Sequence, residues 1–285
     1  MVADVPATVD AALDHAAAAL RAAGVPDPRR EAARLAEAAW KLDQGQARLR
    51  GERILSADEA SRLAELVRRR AAGEPLAHVS GHAGFRRLDL ASDARALIPR
   101  PETEGLVELV LERMAEGVAA DVCTGSGCIA LALAQEGRYD RVIGTDCSGE
   151  ALDLARENAG RAGLAVEWRL GNLLEPLRGE RLDVLVANPP YLTQDEYAAL
   201  EPAVRAWEPR LALESGEDGL SATRELLRAG LDVVRPGGWI ALEVDCHRAA
   251  AVARLAAGFG WVEPAVHQDL FDRARFVLAR RSETS

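Results

Sequence analysis

A doubly wound, mostly parallel α/β sheet, preceded by a small helical bundle, is the architecture this 285-residue sequence predicts. Three features carry the prediction. From about residue 118, strand-like apolar runs alternate with amphipathic helical runs, a pattern that builds parallel sheets covered by helices on both faces. The first 75 residues carry apolar side chains at helical spacing. Between the two lies "GEPLAHVSGHAGFRRLDLASDARAL", whose Gly, His and short alternating apolar runs read as a β-hairpin. The predicted organisation is a helical domain over 1–75, a hairpin linker over 76–98 and a sheet domain over 99–285.

In the helical domain, breaks at "GVPDP", "DQGQ" and "LSAD" divide the chain into four or five helices. "ILSADEASRLAELV" places Ser56 where an N-cap belongs, with Glu59 three residues on. "VRRRAAGEP" (67–75) sets three arginines in a row, a solvated face or a contact for RNA or an acidic partner. In the sheet domain the expected strands are "VAADVC", "RVIGTD", "AVEWRL", "LDVLVA", "GGWIALEV" and "ARFVLAR". The expected helices are "IALALAQE", "EALDLARENAGRA", "SATRELLRAGLDVV" and "RAAAVARLAAGF".

Composition narrows the function classes. Hydrophobic content of 48% and charged content of 28% are those of a soluble globular protein. No apolar run approaches the roughly 20 residues that span a bilayer, and the first residues carry acids and no basic n-region, so the expected location is the cytoplasm. Net charge is −10, and residues 1–75 hold twelve acids and twelve bases, so the whole surplus lies in the remainder. Nucleic-acid binding draws on Lys and Arg contacts to phosphate, which makes a stable nucleic-acid partner unexpected for an acidic main domain. Cys123, Cys128, Cys147 and Cys246 show no paired C-x-x-C spacing, which argues against a zinc site or a disulfide framework.

Parallel sheets bind ligands at the carboxyl ends of their strands, near the point where strand order reverses. "DVCTGSGCIALALA" follows the first expected strand and opens a helix. Gly125 and Gly127 permit a tight turn and a close backbone approach to a ligand. The next strand ends at Asp146, nineteen residues after Gly127. A carboxylate there suits a pair of ribose hydroxyls. This spacing serves NAD and S-adenosylmethionine equally well. Asp121 favours the second, since a carboxylate at the mouth of the loop repels a pyrophosphate and welcomes an ammonium. Asn172 and Leu173, in "GNLLEPL" after the third strand, are placed to bond and cover an adenine ring.

"NPPY" (188–191) follows the fourth strand without a polar break. Neither proline has a backbone N–H, so neither continues a ladder, and both stiffen the chain. The side-chain oxygen of Asn188 and the carbonyl of Pro189 then become acceptors of fixed direction. Two such acceptors suit a planar –NH₂ group whose nitrogen must face a methyl carbon, and Tyr191 can stack on the plane that carries it. Placement of this kind is worth up to about 7–11 kcal/mol of barrier in well-aligned cases. His247 fits the start of a helix after the fifth strand better than a general base.

"LIPRPETEGLVE" (97–108), "DVCTGSGCIALALA" (121–134), "GTDCSGEALDLARENA" (144–159), "GNLLEPL" (171–177), "VANPPY" (186–191) and "EPRLALESGEDGL" (208–220) together resemble the release-factor glutamine N5-methyltransferases, the PrmC/HemK family. The resemblance covers most of the chain. "NPPY" alone is shared with enzymes that methylate adenine or guanine amino groups, and "PRPETE" and "EPRLAL" are the more specific stretches. The family implies a Rossmann-like class I fold, S-adenosylmethionine as methyl donor with S-adenosylhomocysteine as product, and the glutamine of a Gly-Gly-Gln loop in peptide chain release factors as acceptor. By position, Asn188 and Pro189 hold the glutamine amide, and Pro190 and Tyr191 complete the pocket. Asp121, Thr124, Gly125, Ser126, Gly127, Asp146, Cys147, Asn172, Leu173 and Asn188 line the cofactor, and the helical domain docks the release factor. No metal is implied.

Four positions depart from the family pattern. Cys123 takes the first glycine position of D-x-G-x-G-S-G, and Asn172 stands where Asp is usual. "LEVDCHRAA" replaces L-E-x-G-x-x-Q, and "DLFDRARF" replaces D-x-x-G-x-x-R. The same chemistry on another acceptor (a different protein amide, a small-molecule nitrogen or a nucleobase amino group) is the alternative these departures leave open.

Overall fold

The computed structural model describes residues 8–42, 45–47, 49 and 51–283, so the expected break at "DQGQ" lies partly outside the described residues. The chain divides into two compact units, Met1–His82 and Ala83–Ser285.

Four helices are described in the first unit: α1 (Val9–Ala22), α2 (Pro28–Trp40), α3 (Ala57–Ala71) and α4 (Leu76–Ser80). Their starts follow from local chemistry. The Thr8 hydroxyl oxygen accepts the Ala11 N–H at α1, and Pro28 opens α2 where the N–H has no helical partner to lose. Ser56 and Glu59 form the expected reciprocal capping box at α3. Val9, Leu20, Leu35, Trp40, Leu63 and Val67 close the core of this unit, each large aliphatic side chain contributing about 1.5–3 kcal/mol on burial. The Trp40 indole N–H donates to the Glu59 carbonyl at 3.1 Å, tying α2 to α3. The three consecutive arginines are all paired: Arg68 with Glu65 at 2.6 Å, Arg69 with Glu74 at 2.5 Å and Arg70 with Glu31 at 2.6 Å. The run is thus an ion-paired surface, and none of its three charges stands apart from a carboxylate.

The hairpin is shorter than expected. Residues 76–80 form α4, which ends at Gly81 with φ +76°, a left-handed cap that glycine adopts freely. Only β1 (His82–Phe85) and β2 (Leu88–Ala91) are strands.

The second unit continues with α5 (Glu104–Arg113), β3 (Glu116–Val122), α6 (Cys128–Glu136), β4 (Arg138–Asp146), α7 (Gly149–Ala162), β5 (Glu167–Leu170) and β6 (Leu182–Ala187). Then follow α8 (Gln194–Ala199), α9 (Pro202–Trp207), α10 (Ser221–Val233), β7 (Val234–Glu243), α11 (Ala249–Phe259), β8 (Trp261–Gln268) and β9 (Ala274–Arg281). Strand order is β5-β4-β3-β6-β7-β9-β8. Pairing is parallel from β5 to β7, and β9 runs antiparallel to both of its neighbours. The chain starts at β3, builds outward to β5 and returns beside β3 with β6. Strand order therefore reverses between β3 and β6.

The apolar stretch "VLVA" (184–187) of β6 is explained by burial on both faces of the sheet. Leu185 and Ala187 face the core formed with Leu226 and Leu227 of α10 and Val252 of α11. Val184 and Val186 face the opposite core, with Val107 of α5 and Leu131 of α6. Strand β8 was not expected from "WVEPAVHQ". It is an edge strand, so Pro264 breaks no ladder, and Trp261 is its only buried residue. No described helix is long and apolar enough to cross a membrane.

Candidate active site

Parallel register aligns the carboxyl ends of four strands. Val122 lies beside Thr145 on one side and Ala187 on the other, and Ala187 lies beside Leu242. The segments that leave β3, β4, β6 and β7 consequently emerge along one edge of the sheet.

The glycine loop is held from below and from the side. Gly125 (φ +55°) and Gly127 (φ +82°) are both left-handed, but for different ends. A Cβ on Gly127 would stand 2.9 Å from the Trp168 ring and 3.1 Å from Ala155, whereas one on Gly125 would meet only Ala96, at 3.8 Å. Gly127 serves packing and Gly125 faces open space. Cys123 is also left-handed, at φ +60°, so the family's glycine at this position reflects backbone conformation rather than close approach. The Asp146 carboxylate accepts the Gly125 N–H on Oδ2 and the Ser148 N–H on Oδ1, both at 2.9 Å. Each oxygen keeps a lone pair for a further donor.

Asp121 does not stand at the mouth of the loop. It is fully buried beneath it, with Oδ2 accepting the Thr124 hydroxyl and, at 3.1 Å, the Ala130 N–H. Ala130 is in the first turn of α6, whose N-cap, Gly127, has no side chain to satisfy it. Asp121 performs that duty from the neighbouring strand. Burial lifts its pKa to about 7, and Oδ1 has no partner among the described residues.

The Asn188 side chain donates from Nδ2 to the Thr103 hydroxyl oxygen at 3.3 Å, which leaves Oδ1 as the outward acceptor. Pro189 is buried, and among the described residues nothing donates to its carbonyl. The Tyr191 and Leu192 N–H groups both donate to the Leu213 carbonyl, at 3.1 and 2.8 Å, and Ser215 N–H donates back to the Leu192 carbonyl at 2.8 Å. The stretch 208–220 thus fixes the backbone that carries the two prolines. Burial raises the Tyr191 pKa, so its phenol stays protonated.

A cavity of about 560 Å³ opens at this edge, within the range of about 300–1,000 Å³ typical of small-ligand sites. Of the predicted residues, Thr124, Gly125, Ser126, Asp146, Cys147, Asn172, Leu173, Asn188 and Pro190 line it. Asp121, Gly127, Pro189 and Tyr191 do not reach its wall. Asp121 and Gly127 are spent on the start of α6, Pro189 is buried, and Tyr191 stands half-buried behind Pro190 in the chain. Sequence reasoning also missed wall residues between Arg95 and Arg100 and between Pro209 and Ser215; the signal was there in "PRPETE" and "EPRLAL". The two arginines of the wall are engaged, Arg95 with Asp93 at 2.7 Å and Arg100 with Glu208 at 2.7 Å. Neither is free to bind a pyrophosphate. An acceptor carboxylate over a bare glycine loop fits an adenosine-type ligand without one.

The late departures alter less than their sequence suggests. Asp272 takes the glycine position of D-x-x-G-x-x-R, and it adopts φ +59°, a region that Asp tolerates better than most residues. Asp269 and Arg275, at the two ends of that pattern, are paired at 2.8 Å. His247 is exposed, and its backbone N–H donates to Asp245 at 2.9 Å before α11 begins. It lines no wall of the cavity.

Two family models match the chain, the PrmC N-terminal domain over residues 11–81 and the methyltransferase small domain over residues 102–212. A release factor glutamine methyltransferase of Deinococcus radiodurans is 42% identical over 273 residues, 95% of this chain and 97% of that protein. One of Moorella thermoacetica is 43% identical over 282 residues, 97% of this chain and 99% of that protein. Among solved structures, a methyltransferase from Pyrococcus furiosus superposes with a TM-score of 0.52 at 18% identity, covering 68% of this chain and 89% of that one, a likeness of fold.

Proposed function

This chain belongs to the release factor glutamine methyltransferase family, and from that premise we propose that it methylates N5 of the glutamine in the Gly-Gly-Gln motif of peptide chain release factors, with S-adenosylmethionine as donor. The observation that carries the proposal is Asn188 at the carboxyl end of β6, which lines the glycine-loop cavity with Nδ2 bound to Thr103 and Oδ1 left to accept. The adjoining Pro189 carbonyl, to which nothing among the described residues donates, is the second acceptor.

When bound, S-adenosylmethionine supplies an electrophilic methyl group on a positively charged sulfur. The chain's own residues do the rest by binding and placement. Asp146 accepts from the ribose hydroxyls, Gly125 keeps the loop free of side chain, and Asn172 and Leu173 border the base. Asn188 and Pro189 accept the two hydrogens of the glutamine carboxamide and so turn its nitrogen toward the cavity. Pro190 stiffens the turn and borders the amide, with the protonated Tyr191 phenol behind it. An amide nitrogen is a weak nucleophile, so alignment outweighs base strength here, and the surplus proton leaves to solvent after transfer. The helical domain serves as the docking module for the release factor, a reading supported by its match to the PrmC N-terminal domain.

The test is transfer of labelled methyl from the donor to a purified release factor and to its Gly-Gly-Gln variant lacking the glutamine. Label is expected in the first and not the second. A folded enzyme that binds S-adenosylhomocysteine yet labels neither refutes the acceptor. Asn188→Ala is expected to keep cofactor affinity and lose kcat by about 10²–10³-fold, the scale seen when one oriented polar group is removed from an active site.

A further inference from the structure

We propose that Thr103 and Glu243 are positioning residues that set which end of the Asn188 carboxamide faces the acceptor. The inference rests on the methyl-transfer reading above and assigns a task to two residues that it leaves unused.

The two ends of a carboxamide have nearly the same shape and opposite hydrogen-bonding character. Only Oδ1 can accept from an incoming –NH₂ group. With Nδ2 outward, two donors would oppose each other and the substrate amide would lose its hold. Something must therefore choose. Thr103, at the end of the short 3₁₀ turn Pro101–Thr103, is 2% exposed, and its hydroxyl oxygen lies 3.3 Å from Asn188 Nδ2. Glu243 ends β7, and register places it next to Asn188, because Ala187 pairs with Leu242. It is also 2% exposed, and the Thr103 hydroxyl lies close enough to lower its pKa.

A hydroxyl has one proton. A carboxylate on Glu243 only accepts, so that proton goes to Glu243, and the Thr103 oxygen is left to accept from Asn188 Nδ2. Oδ1 then faces outward by elimination. Protonated Glu243 can itself donate to Thr103, which frees the hydroxyl to donate to Asn188 and lets the amide turn over. Glu243 faces Arg275 of β9, Glu102 of the 3₁₀ turn, Asp269 before β9 and Tyr191 after β6. Burial raises its pKa most, and Glu102 and Asp269 raise it further, against the Thr103 hydroxyl and Arg275, to about 7. One carboxylate oxygen, Oε2, has no partner among the described residues. The orientation of Asn188 should thus be firm at pH 8 and loosen below pH 7.

The test compares Thr103→Val, Thr103→Ser and Glu243→Gln with the wild type. The expected result is a kcat loss of about 10–100-fold for Thr103→Val and Glu243→Gln and recovery to within about threefold in Thr103→Ser, with the S-adenosylhomocysteine Kd shifting by less than about threefold although Thr103 also lines the cavity. The double variant Thr103→Val with Glu243→Gln should lose no more than the worse single one, since both break one relay. The acid limb of wild-type kcat should disappear in Glu243→Gln. Thr103→Val at full kcat, or Thr103→Ser no better than Thr103→Val, would overturn the proposal. A readout independent of any acceptor separates this from failure of the methyl-transfer reading. The side-chain amide of Asn188, one of three asparagines and assigned by its loss in Asn188→Ala, should show slow ¹⁵N–H exchange at pH 8 in the wild type. It should exchange faster in Thr103→Val, and equal rates would refute the relay even if no substrate were methylated.

Discussion

Cys123 occupies a glycine position of the cofactor loop with φ +60°, and two substitutions there separate backbone strain from side-chain packing. Cys123→Gly and Cys123→Ala both delete the sulfur, so its contacts with the surrounding core cancel in the comparison. Alanine keeps the left-handed penalty of an L residue, about 1–2 kcal/mol. Glycine escapes it but has more unfolded-state freedom to lose, worth about 0.4–1 kcal/mol. The glycine variant should therefore be the more stable by about 1 kcal/mol. In a unit of this size that corresponds to about 2–4 °C in Tm, readable by differential scanning calorimetry. Both variants should bind S-adenosylhomocysteine with similar affinity, since the loop backbone and Asp146 are untouched. An alanine variant as stable as the glycine variant, or more so, would show that residue 123 is not left-handed and that the glycine of the family pattern has another origin.

Further substitutions probe the same edge of the sheet. Gly125→Ala should cost about 1 kcal/mol of stability, the left-handed term alone, yet weaken S-adenosylhomocysteine binding at least tenfold by calorimetry, because Gly125 lines the cavity. Gly127→Ala should cost about 2–3 kcal/mol in urea unfolding, since strain is joined by the 2.9 Å approach to Trp168. Asp146→Asn offers one acceptor where two N–H groups now point, and should raise the S-adenosylhomocysteine Kd by about 10–100-fold. For Asp269, burial would raise the pKa, but Arg275 and the backbone N–H groups of Arg273 and Phe271 outweigh it and hold it at about 2. A folded pKa below the unfolded value of about 3.9 gives stability that is full above pH 4 and lost as pH falls toward 2. Asp269→Asn should accordingly destabilise by about 2 kcal/mol at pH 7, with the gap to wild type in urea unfolding closing as the pH is lowered from 5 to 3.

What was legible in the sequence was what local chemistry decides. The run "LDVLVA" is apolar at every buried position of β6, and the prolines that follow it mark its end within one residue. The capping box at Ser56 and the place of Asp146 at the end of β4, beside the glycine loop, followed from spacing alone. What was hidden depends on partners far along the chain. Strand β8 shows no alternation because one face is solvent and one end is edge, so its pairing with β9 leaves no mark on residues 262–268. Asp121 could not be assigned from the loop sequence, because its direction is set by the need of the α6 N-terminus for an acceptor. Asp272 looked like a broken glycine motif, although Asp tolerates the conformation that the motif requires. Thr103 and Glu243 are 85 residues before and 55 residues after Asn188; the β6–β7 register brings Glu243 beside it, and the 3₁₀ turn Pro101–Thr103 brings Thr103.

The division of labour among the motifs explains why "PRPETE" is more specific than "NPPY". An amino nitrogen aimed at a methyl carbon is held by two fixed acceptors, and in the function proposed above Asn188 and Pro189 supply them. They do not determine what surrounds the amide. Each polar residue of "PRPETE" ties to a different segment of the chain. A guanidinium nitrogen of Arg100 lies 2.7 and 2.8 Å from the two oxygens of Glu208, at the start of the segment that holds Tyr191 and Leu192. Glu102 pairs with Arg273 of the β8–β9 turn at 3.0 Å. Thr103 holds Asn188, and Glu104 accepts the Arg86 N–H of the β1–β2 turn at 2.9 Å. Loss of the Arg100, Glu102 or Glu104 bond would leave the acceptor pair intact while freeing one segment to move, whereas loss of the Thr103 bond would reach the acceptor itself. Residues 100–104 therefore constrain what surrounds the amide, while residues 188 and 189 constrain only its direction.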